Sequence, residues 1–177
     1  MKGPTHFYGV RLTITGTTPE AVRDFAMFYP MCPPPPYNAP LVASRTDVDG
    51  TVLVPFSLSR FVPDDTPTGM VGDGWRLEHW GVNTDVGGWM AVSSGMCYAE
   101  AYCMTPHDPP VAWLVSIGGR FNDIRLVMEF ACVEGYRAGT VVVDGRKRTV
   151  KYWVNHTDKK PHPLPLWTAP PMPVGTL

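Results

Sequence analysis

The stretch YGVRLTITG, residues 8–16, decides which fold the chain can adopt. Apolar and polar residues alternate along it, which is the pattern of a strand with one buried and one solvated face. The apolar face holds Val10, Leu12 and Ile14, and the polar face holds Arg11, Thr13 and Thr15. Because Gly16 favours a turn, we expect a half-buried strand that ends there.

A helix is predicted directly after this strand, over TTPEAVRDFAMFY (residues 17–29). Thr18 suits the N-cap, Pro19 the first helical position, and Glu20 the positive end of the helix dipole. The apolar residues recur at intervals of three and four, which predicts one buried stripe. That stripe consists of Val22, Phe25, Ala26 and Tyr29.

A second helix is predicted over HDPPVAWLVSIGGRF, residues 107–121. Asp108 is the expected cap and Pro109 the expected first residue of this helix. Its apolar stripe consists of Val111, Leu114 and Val115, continued by Gly118.

Three further stretches alternate in polarity and are predicted to be strands. They are WRLEHWG (75–81), MCYAEAYC (96–103) and NDIRLVMEFACV (122–133). The second places Tyr98, Glu100 and Tyr102 opposite Ala99 and Ala101. The third places Ile124, Leu126, Met128, Phe130 and Cys132 on one face.

Two other stretches contain turn or breaker residues. AGTVVVDGRKRTVKYWV (138–154) is typical of a hairpin that turns at Asp144-Gly145. TVLVPFSLSRFVP (51–63) predicts a short strand followed by a loop, because prolines at 55 and 63 interrupt it.

The order of these elements predicts an α+β domain. We expect a ferredoxin-like (split βαβ) antiparallel sheet with two helices on one face. Pro/Gly-rich loops decorate it, in keeping with 20 prolines and 17 glycines among the 177 residues. The predicted boundaries are a single domain over residues 1–160 and an extended proline-rich tail over 161–177.

The composition excludes several classes of protein. A net charge of -1 gives no global preference for nucleic acid or acidic membranes. The chain has no apolar run of membrane-spanning length and no signal peptide at its start, so we expect a cytoplasmic location. The four cysteines lack zinc-site spacing and are expected to be reduced and mostly buried.

Several motifs together resemble a known family. They are VRLTITG, WRLEHWG, DPPVAWLVSIGGRFNDIRLVMEF and EGYRAGTVVVDG, in this order over residues 9–153. In this respect the chain resembles the api92-like family, also described as the YubB ferredoxin-like domain, of phage and plasmid proteins. The resemblance implies a ferredoxin-like fold and an origin in a mobile element, in the host cell's cytoplasm. It implies no catalytic residues.

The leading functional hypothesis is a non-enzymatic phage or plasmid accessory protein that acts by protein–protein contact. It would bind a host or phage protein, as an inhibitor or as part of an assembly. The sequence offers two proline-rich segments and many aromatic residues but no catalytic motif, and no cofactor is expected. The predicted contact residues are Tyr37, Trp89, Leu164, Leu166 and Trp167.

Two alternatives stay open at this point. The first is a single-stranded nucleic-acid-binding protein, because positive residues stand beside aromatic ones in the hairpin. Its candidate residues are Arg146, Lys147, Arg148, Lys151 and Trp153. The second is a metal-dependent hydrolase, which would need convergence of His79, Asp85, His107 and Asp108.

Overall fold

The computed structural model describes residues 6–26, 45–46, 51–58, 72–83, 87–93, 96–132, 137–145 and 147–154. The strands in this part of the chain are β1 (Phe7–Gly16), β2 (Arg45–Thr46), β3 (Thr51–Ser57), β4 (Gly87–Ser93), β5 (Tyr98–Pro106), β6 (Ile124–Cys132), β7 (Arg137–Asp144) and β8 (Lys147–Val154). The helices are α1 (Pro19–Ala26), α2 (Asp73–Trp80) and α3 (Val111–Gly118).

The strands form one antiparallel sheet, in the order β2-β3-β4-β5-β1-β6-β7-β8. The predicted α+β class with an antiparallel sheet is therefore confirmed. β1 lies between β5 and β6, pairing Arg11 with Tyr102 on one side and with Glu129 on the other. The first predicted strand is thus central in the sheet.

One face of the sheet and the helices enclose the core. Val10, Leu12 and Ile14 of β1 are at most 3% exposed, and the predicted apolar face of β6 is buried as well. Val22 and Phe25 of α1 pack into the same cluster, together with residues of α2 and α3. The alternation predicted for β1 and β6 is confirmed.

The first helix has the predicted cap. The backbone N–H of Ala21 donates to Oγ1 of Thr18 at 3.2 Å, and the helix begins at Pro19. Val22, Phe25 and Ala26 are buried, as their spacing predicts. Tyr29 lies outside the described residues.

The second predicted helix is α3, but Asp108 does not cap it. The N-cap is Pro110, without a side-chain hydrogen bond, while Asp108 pairs with Arg137 at 2.8 Å. A backbone hydrogen bond from Val111 to the carbonyl of Pro109 tightens the first turn. The buried face includes Trp113 and Ile117, which the predicted stripe omitted.

The strand predicted over WRLEHWG is wrong, because these residues form helix α2 and its C-cap. Gly81 is left-handed (φ 79°), and its N–H bonds to the carbonyl of Leu77 at 3.1 Å, which ends the helix. The rings of Trp75 and His79, one helical turn apart, stack at 4.2 Å. Seven residues of mixed polarity fit the periodicity of a strand and that of a helix. The packing of Trp80 into the core decides between the two.

The predicted interruption at Pro55 is also wrong, because β3 continues through it to Ser57 and pairs Pro55 with Trp89. β2 pairs with β3 only at Leu53 and Val52. Since no described strand lies outside β3 at Pro55, its missing N–H can fall on the edge side, where proline is tolerated.

The β7–β8 hairpin is confirmed, but its turn is not at Asp144-Gly145 as predicted. Asp144 is the last residue of β7 and pairs with Lys147, and the chain turns after it at Gly145 (φ 53°). Within the described ranges, Cys97, Cys103 and Cys132 are not in disulfide bonds, and Cys132 is buried. The run of prolines before Tyr37 and the tail from residue 161 lie outside the described residues. In the part that is described, no helix has the length and apolarity needed to cross a membrane.

Candidate functional site on the open sheet face

The side of the sheet turned away from the core is the candidate site, and we call it the open face. It is formed by the residues that alternate with the buried ones, such as Arg11 between Val10 and Leu12. No helix in the described ranges packs on this side. Within these ranges, the pairing of strands positions the side chains of the open face.

A network of charged and phenolic side chains occupies the middle of the open face. We call it the open-face cluster, and its members are Arg11, Tyr98, Glu100, Tyr102 and Glu129. Oε1 of Glu100 accepts hydrogen bonds from Nη2 and Nε of Arg11, at 2.6 and 3.1 Å. It also accepts one from the hydroxyl of Tyr98, while Oε2 accepts one from Tyr102 at 2.7 Å. Oε2 of Glu129 lies 3.8 Å from Nε of Arg11.

These contacts shift the pKa values of the cluster. Burial by itself raises the pKa of Glu100, but hydrogen bonds from Tyr98, Tyr102 and Arg11 outweigh it, and the pKa is lowered. For Arg11, burial by itself lowers the pKa, because it disfavours the charged guanidinium. The hydrogen bonds with Glu100 and Tyr98 outweigh burial, and the pKa of Arg11 is raised. Burial, reinforced by the hydrogen bond to Glu100, raises the pKa of Tyr102 to about 12 and raises that of Tyr98.

The arrangement suits recognition better than proton transfer. A carboxylate with a lowered pKa whose oxygens already accept several hydrogen bonds is a poor general base. Two tyrosines that hold their protons more firmly than usual are poor general acids. The hydrogen bonds instead hold Arg11 and both rings in one geometry, so the surface is organised before any ligand arrives.

Exposed apolar side chains lie at one end of the open-face cluster, and its member Tyr98 is exposed as well. Phe7 is 45% exposed, Tyr98 36% and Met104 56%. Gly9 pairs with Met104 on one side and with Ala131 on the other. The open face thus combines exposed aromatic and methionine side chains with an ordered polar centre, which is the composition typical of protein interfaces.

Two residues predicted for different functions lie on one cross-strand row. Trp89, which belongs to the protein-contact prediction, pairs with Tyr102. Lys151, which belongs to the nucleic-acid prediction, pairs with Thr140. The complete row runs through Trp89, Tyr102, Arg11, Glu129, Thr140 and Lys151. Of Trp89 and Lys151 only the backbone is described. The other predicted contact residues, Tyr37, Leu164, Leu166 and Trp167, lie outside the described residues.

The basic hairpin lies at one edge of the sheet. Lys147 and Arg148 are exposed at the start of β8, where they pair with Asp144 and Val143. Trp153 is placed in β8 by its pairing with Ala138, and only its backbone is described. Arg146 lies outside the described residues.

Two residues of the metal-site prediction, His79 and Asp108, make other contacts. Asp108 pairs with Arg137, and Nδ1 of His79 donates to the carbonyl of Trp75 at 2.9 Å. His107 is exposed at a left-handed position (φ 70°), and Asp85 lies outside the described residues. Within the described ranges, His, Cys, Asp and Glu form no group of three that could hold a metal ion.

The sequence prediction did not identify the open-face cluster. The alternation of β5 already placed Tyr98, Glu100 and Tyr102 on one face, which was the available signal. What was missing was the pairing of β5 with β1, since Arg11 and Glu100 are 89 residues apart.

Comparisons with models of protein families, with curated proteins and with solved structures found no match for this chain.

Proposed function

We propose that this chain is a non-enzymatic protein-binding domain that uses its open face to contact another protein. The observation that carries the proposal is the exposure of Phe7, Tyr98 and Met104 beside a polar centre that is already ordered. Aromatic, methionine and arginine side chains are enriched at such interfaces. An ordered polar centre lowers the entropic cost of binding, because Arg11 and its partners lose little freedom on association.

The charges of the open face favour a protein over a nucleic acid. Glu100 and Glu129 lie on either side of Arg11, with side chains 19% and 39% exposed. A phosphate approaching the middle of the face would meet both carboxylates. A protein surface with mixed charges meets no such repulsion.

We also propose a ferredoxin-like fold, as the sequence predicts. Along the chain, β1, α1, β4, β5, α3 and β6 follow one another, and their strands lie side by side as β4-β5-β1-β6. In each strand–helix–strand unit, one strand of the other unit therefore lies between the two connected strands, and this order supports a split βαβ arrangement. β2, β3, α2, β7 and β8 are additions to this core.

The resemblance to api92-like proteins supports a phage or plasmid accessory role for this domain. The partner is then a host protein or a protein of the same mobile element, met in the host cytoplasm. The domain would block that partner or take part in an assembly.

The test begins with capture of a partner by the tagged full chain from a bacterial lysate treated with nuclease. The captured protein is then purified, and its Kd is measured with the wild-type chain and with a Phe7→Ser/Met104→Ser double variant. Both side chains are exposed, so the variant should fold. We expect binding at least about tenfold weaker.

Leu77→Ser is the matched control, because Leu77 is 58% exposed but lies on α2. It should leave the Kd unchanged. A partner that binds the double variant as tightly as the wild type would contradict the proposal. Capture of nucleic acid from an untreated lysate, with no protein captured from the nuclease-treated one, would contradict it too.

A second candidate function is binding of single-stranded nucleic acid. The observation that favours it is the exposure of Lys147 and Arg148 side by side at the edge of the sheet. Lys151, further along β8, lies on the same row as Arg11 and Tyr102. A single strand of nucleic acid could then follow the basic edge without crossing the carboxylates in the middle of the open face.

A further inference from the structure

The starting point is the end of the open face where β8 leaves the sheet. β8 pairs its last residue, Val154, with Arg137, the first residue of β7. The last row that spans all five strands at this end contains Met104, Gly9, Ala131, Ala138 and Trp153. The chain after residue 154 thus starts beside the exposed apolar part of the open face.

The centre of this row consists of small residues. Gly9, Ala131 and Ala138 project little from the sheet, whereas Met104 and Phe7 nearby are 56% and 45% exposed. The row is therefore a shallow apolar trough, and we call it the terminal trough. Ala131 alternates with the core residues of β6, yet it is only 3% exposed, so other atoms of the chain already cover this position.

The remaining chain is long enough to cross the open face. After Val154 there are 23 residues, since 177 − 154 = 23. In the extended conformation that proline favours, they span roughly 70 Å at about 3.1 Å per residue. From β8 to β5 there are four strand spacings, or about 19 Å in total.

The chemistry of this segment matches that of the open face. Lys159 and Lys160 come first, followed by Leu164, Leu166 and Trp167 between prolines. Glu129 is a partly exposed carboxylate whose ion pair with Arg11 is long, at 3.8 Å. Proline-rich segments dock on surfaces lined by aromatic side chains, and they lose little conformational entropy when they do.

We propose that residues 155–177 of this chain dock on its own open face. Lys159 and Lys160 contact Glu129, and the Leu164–Trp167 segment packs on the terminal trough against Phe7 and Met104. Where the docked tail and the partner of the proposed function share the face, they compete. This regulatory part rests on the proposed function, whereas the docking itself does not.

The test uses the oxidation rates of two methionines in the full chain. Met104 and Met96 are 56% and 59% exposed, and Met96 precedes β5 at its other end. With hydrogen peroxide as the probe and peptide mass spectrometry as the readout, docking protects Met104 only. If docked and undocked states are populated about ten to one, Met104 is oxidised roughly tenfold more slowly than Met96.

Two sets of variants test the contacts. Leu164→Ser/Leu166→Ser/Trp167→Ser, which changes only the tail, should bring Met104 to the rate of Met96. Glu129→Lys should also release the tail, and Lys159→Glu/Lys160→Glu added to it should restore protection. Equal rates for Met96 and Met104 in the wild-type chain would overturn the proposal. Protection that disappears on dilution would overturn it too, because it would indicate the tail of a second copy.

Partner binding then separates this proposal from the proposed function. Release of the tail by the triple-serine variant should tighten partner binding severalfold if the tail competes. Weaker binding by that variant would overturn the competition and make the tail part of the contact. If Met104 is protected but the capture from lysate finds no protein partner, the docking stands and the proposed function is removed.

Discussion

The guanidinium of Arg11 in β1 donates two hydrogen bonds to a single oxygen of Glu100 in β5, at 2.6 and 3.1 Å. The pair spans neighbouring strands, although it is not a directly paired position: Arg11 pairs with Tyr102 and Glu100 pairs with Thr13. This diagonal contact draws Tyr98 and Tyr102, the neighbours of Glu100 on the same face of β5, into one network. Its consequences can be measured without knowing the partner.

Glu100→Gln should make the free energy of unfolding less dependent on pH in acid. The folded-state pKa of Glu100 is lowered, so its stabilising contribution is present above the unfolded value, about 4.3. The contribution is lost as the pH falls through the folded pKa. The stability difference between wild type and variant should therefore be largest at neutral pH and shrink in acid, as measured by urea unfolding. Glu78→Gln, on the exposed side of α2, is the control and should change stability by less than about 0.5 kcal/mol.

Tyr102 should ionise about two pH units above an ordinary tyrosine, since its pKa is raised to about 12 from a usual 10. The raised value means that its contribution to stability is present below about 10 and is lost as the pH rises through 12. The ultraviolet absorbance of tyrosinate follows the titration. Tyr102→Phe should remove the ionisation step that lies at the high-pH end of the titration curve. Glu100→Gln should move that step to lower pH. Titration of all tyrosines near the ordinary value would show that the network does not form.

Gly118→Ala should destabilise the fold by about 1–3 kcal/mol, because overpacking strains a core. A Cβ at this position of α3 would overlap Cγ1 of Val143 in β7. Gly119→Ala is the matched control, since the nearest atom to its Cβ is the carbonyl oxygen of Ser116 at 3.9 Å. It should leave the melting temperature unchanged or slightly higher. Equal costs at both positions would mean that α3 does not pack closely on β7.

Lys147→Glu/Arg148→Glu tests the nucleic-acid candidate. That candidate predicts affinity for a single-stranded oligonucleotide that falls steeply with salt concentration. If both side chains contact phosphates, the double variant should reduce the slope of log K against log salt by about 1.4, or roughly 0.7 for each lost contact. Fluorescence anisotropy at several salt concentrations measures this slope. Arg23→Glu, exposed on α1, is the control. Absence of binding at low salt would remove the candidate.

Local patterns were sufficient to predict most of the sheet. The alternation in β1 and β6 and the hairpin of β7 and β8 depend on neighbouring residues, and each appears in the structure, although the turn begins one residue later than predicted. The cap and stripe of α1 are local too. α2 was missed because a short aromatic-rich stretch fits a strand and a helix equally, and only burial of Trp80 against the core selects the helix.

The candidate site needed more than local patterns. By itself, the sequence determined which residues of β1 and β5 face away from the core, because the side chains of a strand alternate between two faces. The tertiary structure alone decided that those two strands are neighbours and that Arg11 meets Glu100. Strand pairing is set by the packing of the whole core, so contacts between distant residues cannot be read from either stretch separately.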